Sequence, residues 1–259
     1  MRHGPWVSWQ SESMGGRHKP GHDENLGTDS SKPMPAEPLI LTLPNGDTVS
    51  ALWQAPAAPK AVLALAHGAG AGMTHRHMAA IADGLEALGV AILRYQFPYM
   101  EKGGKRPDPP AVAYAAVRAA AAEAARRAAG LPLFAGGRSF GGRMTSQAQA
   151  ADPLPHVRGL VFFAFPLHPA GKPAVDRAEH LAEVAVPMLF LQGTNDALAR
   201  QDLQDATVAG IAPRARLELL PDADHAFHVP ARSSAKTGRK DADVLADALA
   251  RAVAWIAGA

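Results

Sequence analysis

The chain has 259 residues, 47% of them hydrophobic and 19% charged, with a formal net charge of +2 and a sequence pI near 9.0. That is enough apolar content for a sizeable core, and the scattered Lys and Arg, with no basic block beyond 236–240, argue against nucleic acid as a partner. The lack of cysteine excludes disulfides, thiolate metal sites and cysteine nucleophiles, and no run reaches the ~18 apolar residues that span a bilayer.

Residues 1–36 are rich in Gly, Ser, Pro, His and charge and carry no secretory h-region, so a disordered tail is expected there and a folded domain over 37–259. The apolar runs 39–43 and 48–53 flank "PNGD" and predict a hairpin, with Asn45-Gly46 supplying the positive φ angles of a tight turn. "AVLALAH" (61–67) is continuously apolar, as a strand covered on both faces must be. A helical pattern over 78–89 ends on Gly89, and 90–97 is the next strand. Residues 109–130 form a long alanine-rich helix with Pro at its start and Gly130 at its end. A strand over 131–137 leads into a helix over 140–151, and three further strands follow at 158–165, 187–193 and 215–220. A helix starts after Ala197, and another over 241–258 ends the pattern. This alternation predicts one mostly parallel sheet with helices on both faces and an antiparallel strand from the opening hairpin.

In such a sheet the chemistry gathers beyond the carboxyl ends of the strands. Two turns there are glycine-rich, "HGAGAG" (67–72) and "GGRSFGG" (136–142). Neither is a phosphate cradle: Arg143 and Met144 stand where a Walker loop needs Lys and Ser or Thr, and Met73 or His75 stands where a dinucleotide fingerprint needs its third glycine. Gly137-Arg138-Ser139-Phe140-Gly141 does fit G-x-S-x-G between a strand and a helix, the nucleophile elbow. There the turn is so tight that glycine at 137 and 141 removes Cβ atoms that would collide, and the serine hydroxyl stands at a helix N-terminus.

A serine nucleophile needs a base, and the base needs an orienting acid. Asp196, just past a strand end, and His225, in the loop after the last strand, come in the expected order; Asp202 and Asp205 are the rival acids and His228 the rival base. The amides of Phe140 and Ala69 are the expected oxyanion donors, with Gly68 and Gly70 allowing a substrate carbonyl close approach. His75 and His77, at i and i+2 on a helix, are expected to face apart, and no metal or other cofactor is expected.

The stretches "HGAGAGMTH", "RYQFPYMEKGGKRPD", "AGGRSFGGRM", "FPLHPAGKP" and "LQGTNDAL" together resemble a family of small α/β-hydrolases. That family includes testis-expressed and chromatin-complex relatives in animals and dienelactone-hydrolase-like proteins in bacteria. The resemblance covers about residues 38–258. It implies the α/β-hydrolase fold and a Ser139, Asp196, His225 triad, and leaves the substrate open. Only 21 residues separate Phe165 from Pro187, where many lipases carry a cap domain, so no large cap is expected. Lys172, with Lys102, Lys105 and Arg106, can bring positive charge to the site's mouth and favour small or anionic acyl groups, or remain solvated on proline-stiffened loops; Arg138 and Arg143, which flank the elbow, can steer an acid group or serve as structural or solvent-facing residues. The expectation is a cytoplasmic serine hydrolase acting on a small-molecule ester. Two alternatives stay open: a weakly catalytic binding or scaffold module of the same fold, and an acyltransferase, amidase or peptidase using the same residues.

Overall fold

A computed structural model describes residues 35–259; the tail expected over 1–36 lies outside the described residues except for Pro35 and Ala36. The opening runs pair antiparallel as β1 (Glu37–Thr42) and β2 (Thr48–Gln54), with Thr42 opposite Thr48. The turn between them is longer than a two-residue Asn-Gly turn. Leu43 and Asp47 close it by a backbone hydrogen bond, Asn45 Oδ1 accepts from the Asp47 amide, and Gly46 alone takes a positive φ, 85°.

The rest alternates strand and helix: β3 (Ala61–Ala66), α1 (Arg76–Ala87), β4 (Val90–Tyr95), the short α2 (Pro98–Glu101), α3 (Pro110–Ala128), β5 (Leu133–Arg138), α4 (Phe140–Ala151) and β6 (Val157–Phe163). A 3-10 helix (Asp176–Glu183) leads to β7 (Met188–Gly193), α5 (Gln201–Gly210), β8 (Ala215–Leu220), α6 (Ala231–Thr237) and α7 (Asp241–Gly258). The helices α2 and α6 and the 3-10 helix have no counterpart in the sequence reading; each is too short to develop a helical apolar period.

The eight strands of the described residues form one sheet in the order β1-β2-β4-β3-β5-β6-β7-β8, in which only β2 runs against the others. The central strands are buried on both faces, and the two-residue period divides their side chains between two cores. From β3, Val62, Ala64 and Ala66 face one core while Leu63 and Leu65 face the other. The first core is closed by α3, α4 and α5, the second by α1 and α7. In α3 the buried stripe is Ala113, Ala116, Val117, Ala120, Ala121 and Ala124, small residues that let the helix lie close against the sheet. Between β6 and β7 stands only the loop with its 3-10 helix, so no large cap covers the strand ends. No described helix is long and apolar enough to cross a membrane.

Candidate active site

The turn from β5 into α4 brings Ser139 to φ 52° and ψ −118°, a conformation that side-chain-bearing residues rarely hold without support. The support is steric. None of the surrounding Gly136, Gly137, Gly141 and Gly142 has a positive φ; a Cβ on Gly137 would lie 2.6 Å from the Ala66 carbonyl oxygen and one on Gly141 2.5 Å from that of His67. The glycines are there for close approach of the backbones of β3 and α4. Ser139 is the N-cap residue of α4, yet its hydroxyl makes no capping bond.

That hydroxyl meets His225. Ser139 Oγ and His225 Nε2 are 2.7 Å apart, and His225 Nδ1 is 2.7 Å from Asp196 Oδ2. A carboxylate only accepts, so the ring proton sits on Nδ1 and Nε2 accepts from the serine. The loops carrying acid and imidazole are bound to each other: Asn195 N donates to Ala223 O at 2.9 Å, Asn195 Nδ2 to Asp222 O at 2.9 Å and Asp222 N to Thr194 Oγ1 at 2.8 Å. Asp196 is buried and also accepts from Gln192 Nε2 at 2.5 Å and from the Leu198 amide at 2.7 Å. The histidine loop is tightened by Asp224, whose Oδ1 accepts from the amides of Ala226 and His228 at 2.7 and 2.9 Å.

The rivals stand elsewhere. Asp202 and Asp205 lie exposed on α5, the former paired with Arg200 at 2.6 Å. His228 is exposed and pairs with Asp241 at 2.9 Å. His75 is the N-cap of α1, its Nδ1 accepting from the His77 amide at 3.3 Å. Their rings meet edge to face at 5.1 Å rather than facing apart, because His75 precedes the helix.

The loop after β3 is held by two side chains that sequence reasoning missed. The Phe97 amide donates to His67 Nε2 at 3.0 Å, which makes Nδ1 the protonated nitrogen and a donor to Gly68 O at 2.8 Å. In a trans peptide the carbonyl and the following N–H point in opposite directions. Drawing Gly68 O toward His67 therefore turns the Ala69 N–H away from the ring. Tyr99 Oη donates to Ala69 O at 2.8 Å and secures the next peptide. The amides of Ala69 and Phe140 have no acceptor among the described residues, and both residues line one cleft of about 370 Å³ with Ser139. Burial depresses the His67 pKa to about 4, so the ring is neutral at pH 7.

The remaining expected binding residues are placed less centrally. Gly68 sits beside Arg138 and Ser139 with ordinary clearance, and nothing among the described residues lies within 4 Å of a Cβ on Gly70, so no described atom requires glycine at either position. Lys172 is exposed in the turn closed by Lys172 N and Pro169 O, and Lys105 and Arg106 are exposed as well. Lys102 pairs with Asp47 at 3.1 Å. None of these four cations lines the cleft around Ser139. Arg138 faces a separate cavity of about 320 Å³, and its Nη2 donates to His225 O at 3.0 Å. The cations that do line the Ser139 cleft are Arg143 and Arg177.

An eight-stranded sheet with a single reversed strand, helices on both faces and no large cap defines the class: an α/β-hydrolase. The chain belongs to the alpha/beta hydrolase domain family, which residues 59–257 match. It also resembles solved structures at low identity. One is a lidless serine hydrolase of this fold from Xanthomonas campestris, 23% identical over 86% of this chain and 95% of that one, with a TM-score of 0.65. A dienelactone hydrolase from Anabaena variabilis is 17% identical over 87% and 98%, with a TM-score of 0.67. An alpha-beta serine hydrolase homologue from Coxiella burnetii is 18% identical over 84% and 97%, with a TM-score of 0.66.

Proposed function

We propose that the protein is a serine hydrolase that cleaves a small carboxylic ester through Ser139, His225 and Asp196. The observation that carries this reading is the unbroken line of two 2.7 Å hydrogen bonds from the serine hydroxyl through the imidazole to the buried carboxylate. As Ser139 Oγ attacks the ester carbonyl, His225 Nε2 takes its proton and Asp196 steadies the resulting imidazolium. The carbonyl oxygen becomes an oxyanion that the amides of Ala69 and Phe140 receive, at the positive end of α4. Collapse expels the alcohol, protonated by His225. A water molecule, deprotonated by the same imidazole, then attacks the acyl-enzyme, and the carboxylic acid leaves as Ser139 recovers its proton.

The two unspent amides beside the serine are what an attacked carbonyl requires, and they favour turnover over a scaffold role. The modest, uncapped cleft favours small acyl groups, because no cap supplies a long apolar tunnel. The experiment is labelling by a fluorophosphonate together with assay on short p-nitrophenyl esters. Wild type is expected to be labelled on Ser139 and to turn over the esters. Ser139→Ala should lose both while keeping its circular dichroism spectrum; retained turnover in that variant rejects the assignment.

A further inference from the structure

The cleft that holds Ser139 also holds two guanidinium groups with no counter-charge of their own. Arg143 lies on α4, one turn beyond the serine, and Arg177 lies at the start of the 3-10 helix between β6 and β7. Both line the cleft together with Ala69 and Phe140. Neither forms an ion pair or side-chain hydrogen bond among the described residues, and Arg143 Nε is buried without a partner. The Arg143 guanidinium instead lies 5.8 Å from the centre of the Phe140 ring, which sets its direction beside the oxyanion amide.

Such a pair is costly for the free protein. Burial and the neighbouring Arg177 charge together hold the Arg143 pKa below its ordinary value. Nearby His180 adds no third charge at neutral pH: burial and Arg143 hold its pKa at about 4, and its Nε2 is 2.7 Å from Ser146 Oγ. Among the described residues the cleft's one carboxylate is Asp108, whose Oδ2 accepts from the Tyr99 amide at 2.7 Å. Two half-buried cations against one already engaged anion leave the cleft with positive charge to offer. A guanidinium matches a carboxylate in plane, charge and donor spacing.

We propose that the cleft binds a small ester carrying a free carboxylate, which Arg143 and Arg177 hold while Ser139 attacks the ester carbonyl. This rests on the serine esterase reading above and adds to it the substrate class. Of the cations the sequence offered for an acid group, Arg143 is thereby kept, while Arg177 takes the place of Lys172, Arg106 and Arg138.

The test compares mono-p-nitrophenyl succinate with its uncharged isostere, p-nitrophenyl 4-methylpentanoate, each corrected for spontaneous hydrolysis. Wild type is expected to prefer the succinate by tenfold or more in kcat/KM. Arg143→Gln and Arg177→Gln should each cut that preference at least tenfold, mainly through KM, and Arg177→Lys should restore part of it. Equal wild-type rates on the two esters, or substitutions that lower both in parallel, overturn the proposal. Arg177 lies in the 3-10 helix of the loop between β6 and β7, outside the sheet and the long helices, so Arg177→Gln carries the test if Arg143→Gln does not fold. Calorimetric binding of monoethyl succinate to Ser139→Ala, set against Ser139→Ala/Arg177→Gln, separates this proposal from the esterase reading. Arginine-dependent binding without fluorophosphonate labelling of wild type upholds the carboxylate subsite and rejects the esterase. Labelling and turnover without preference reject the subsite alone.

Discussion

Arg138 donates from Nη2 to the backbone carbonyl of His225 at 3.0 Å, joining the residue before Ser139, the proposed nucleophile, to the residue proposed as its base. The guanidinium is largely desolvated, which lowers its pKa, while the fields of Asp196 and Asp224 act in the opposite direction. The contact spans 87 positions of sequence and makes one end of β5 responsible for the distance across the site.

Arg138→Met is expected to lower kcat by about tenfold to a hundredfold, the cost of a slightly misplaced catalytic group, with KM little changed. Labelling of Ser139 by the fluorophosphonate should slow in proportion, and Arg138→Lys should recover part of the loss. Steady-state kinetics decide between this positioning role and the substrate contact expected from the sequence. A raised KM with kcat preserved would assign Arg138 to the substrate.

His67 sets a pH limit on stability. Its folded pKa of about 4 lies below the unfolded value of 6.5, so the unfolded chain binds more protons between those two values. The contribution is fully present above pH 6.5 and is lost as pH falls toward 4. Its size is about 3 kcal/mol, from the ~1.36 kcal/mol that each pKa unit represents. Urea midpoints measured from pH 7 to pH 4 should fall accordingly, and His67→Gln, which titrates nowhere in this window, should flatten the slope. An unchanged slope in that variant would place the acid sensitivity in another group.

Gly136 and Gly141 are expected to resist even the smallest substitution. A Cβ on Gly136 would run into the Val161 backbone of the neighbouring strand, and one on Gly141 into the carbonyls of Ala66 and His67. These are rigid atoms that cannot swing aside. Each change to alanine should destabilise the protein by about 3 kcal/mol or more, beyond the usual range for a point substitution. Gly70→Ala, where nothing lies within 4 Å, is the matched control and should stay within about 0.5 kcal/mol of wild type. Thermal melts of the three variants check the ranking, and a stable Gly136→Ala would mean that β5 and β6 can separate.

Element type was legible because it is a local property. The continuous run Ala61–Ala66 could be covered on both faces only as a central strand, and the period of α7 over Asp241–Gly258 left one choice of helix. The elbow was legible for the same reason: strand, crowded glycines, serine and helix are neighbours in the chain. Even so, the turn at Asn45-Gly46 is longer than a two-residue Asn-Gly turn, because Leu43 and Asp47 close it around three residues.

By itself the sequence determined the strand and helix alternation, the strained serine and the short list of acids and bases that could serve it. Only the tertiary structure decided which histidine and which aspartate meet that serine, since their approach depends on the loops after β7 and β8 being hydrogen-bonded to each other. It alone brought Arg143 and Arg177, 34 positions apart in the chain, to one cleft, and turned Arg138 away from it. Local order follows from short-range sterics and periodic burial, which the order of residues encodes directly. The direction of a charged side chain follows from what the folded chain has placed around it.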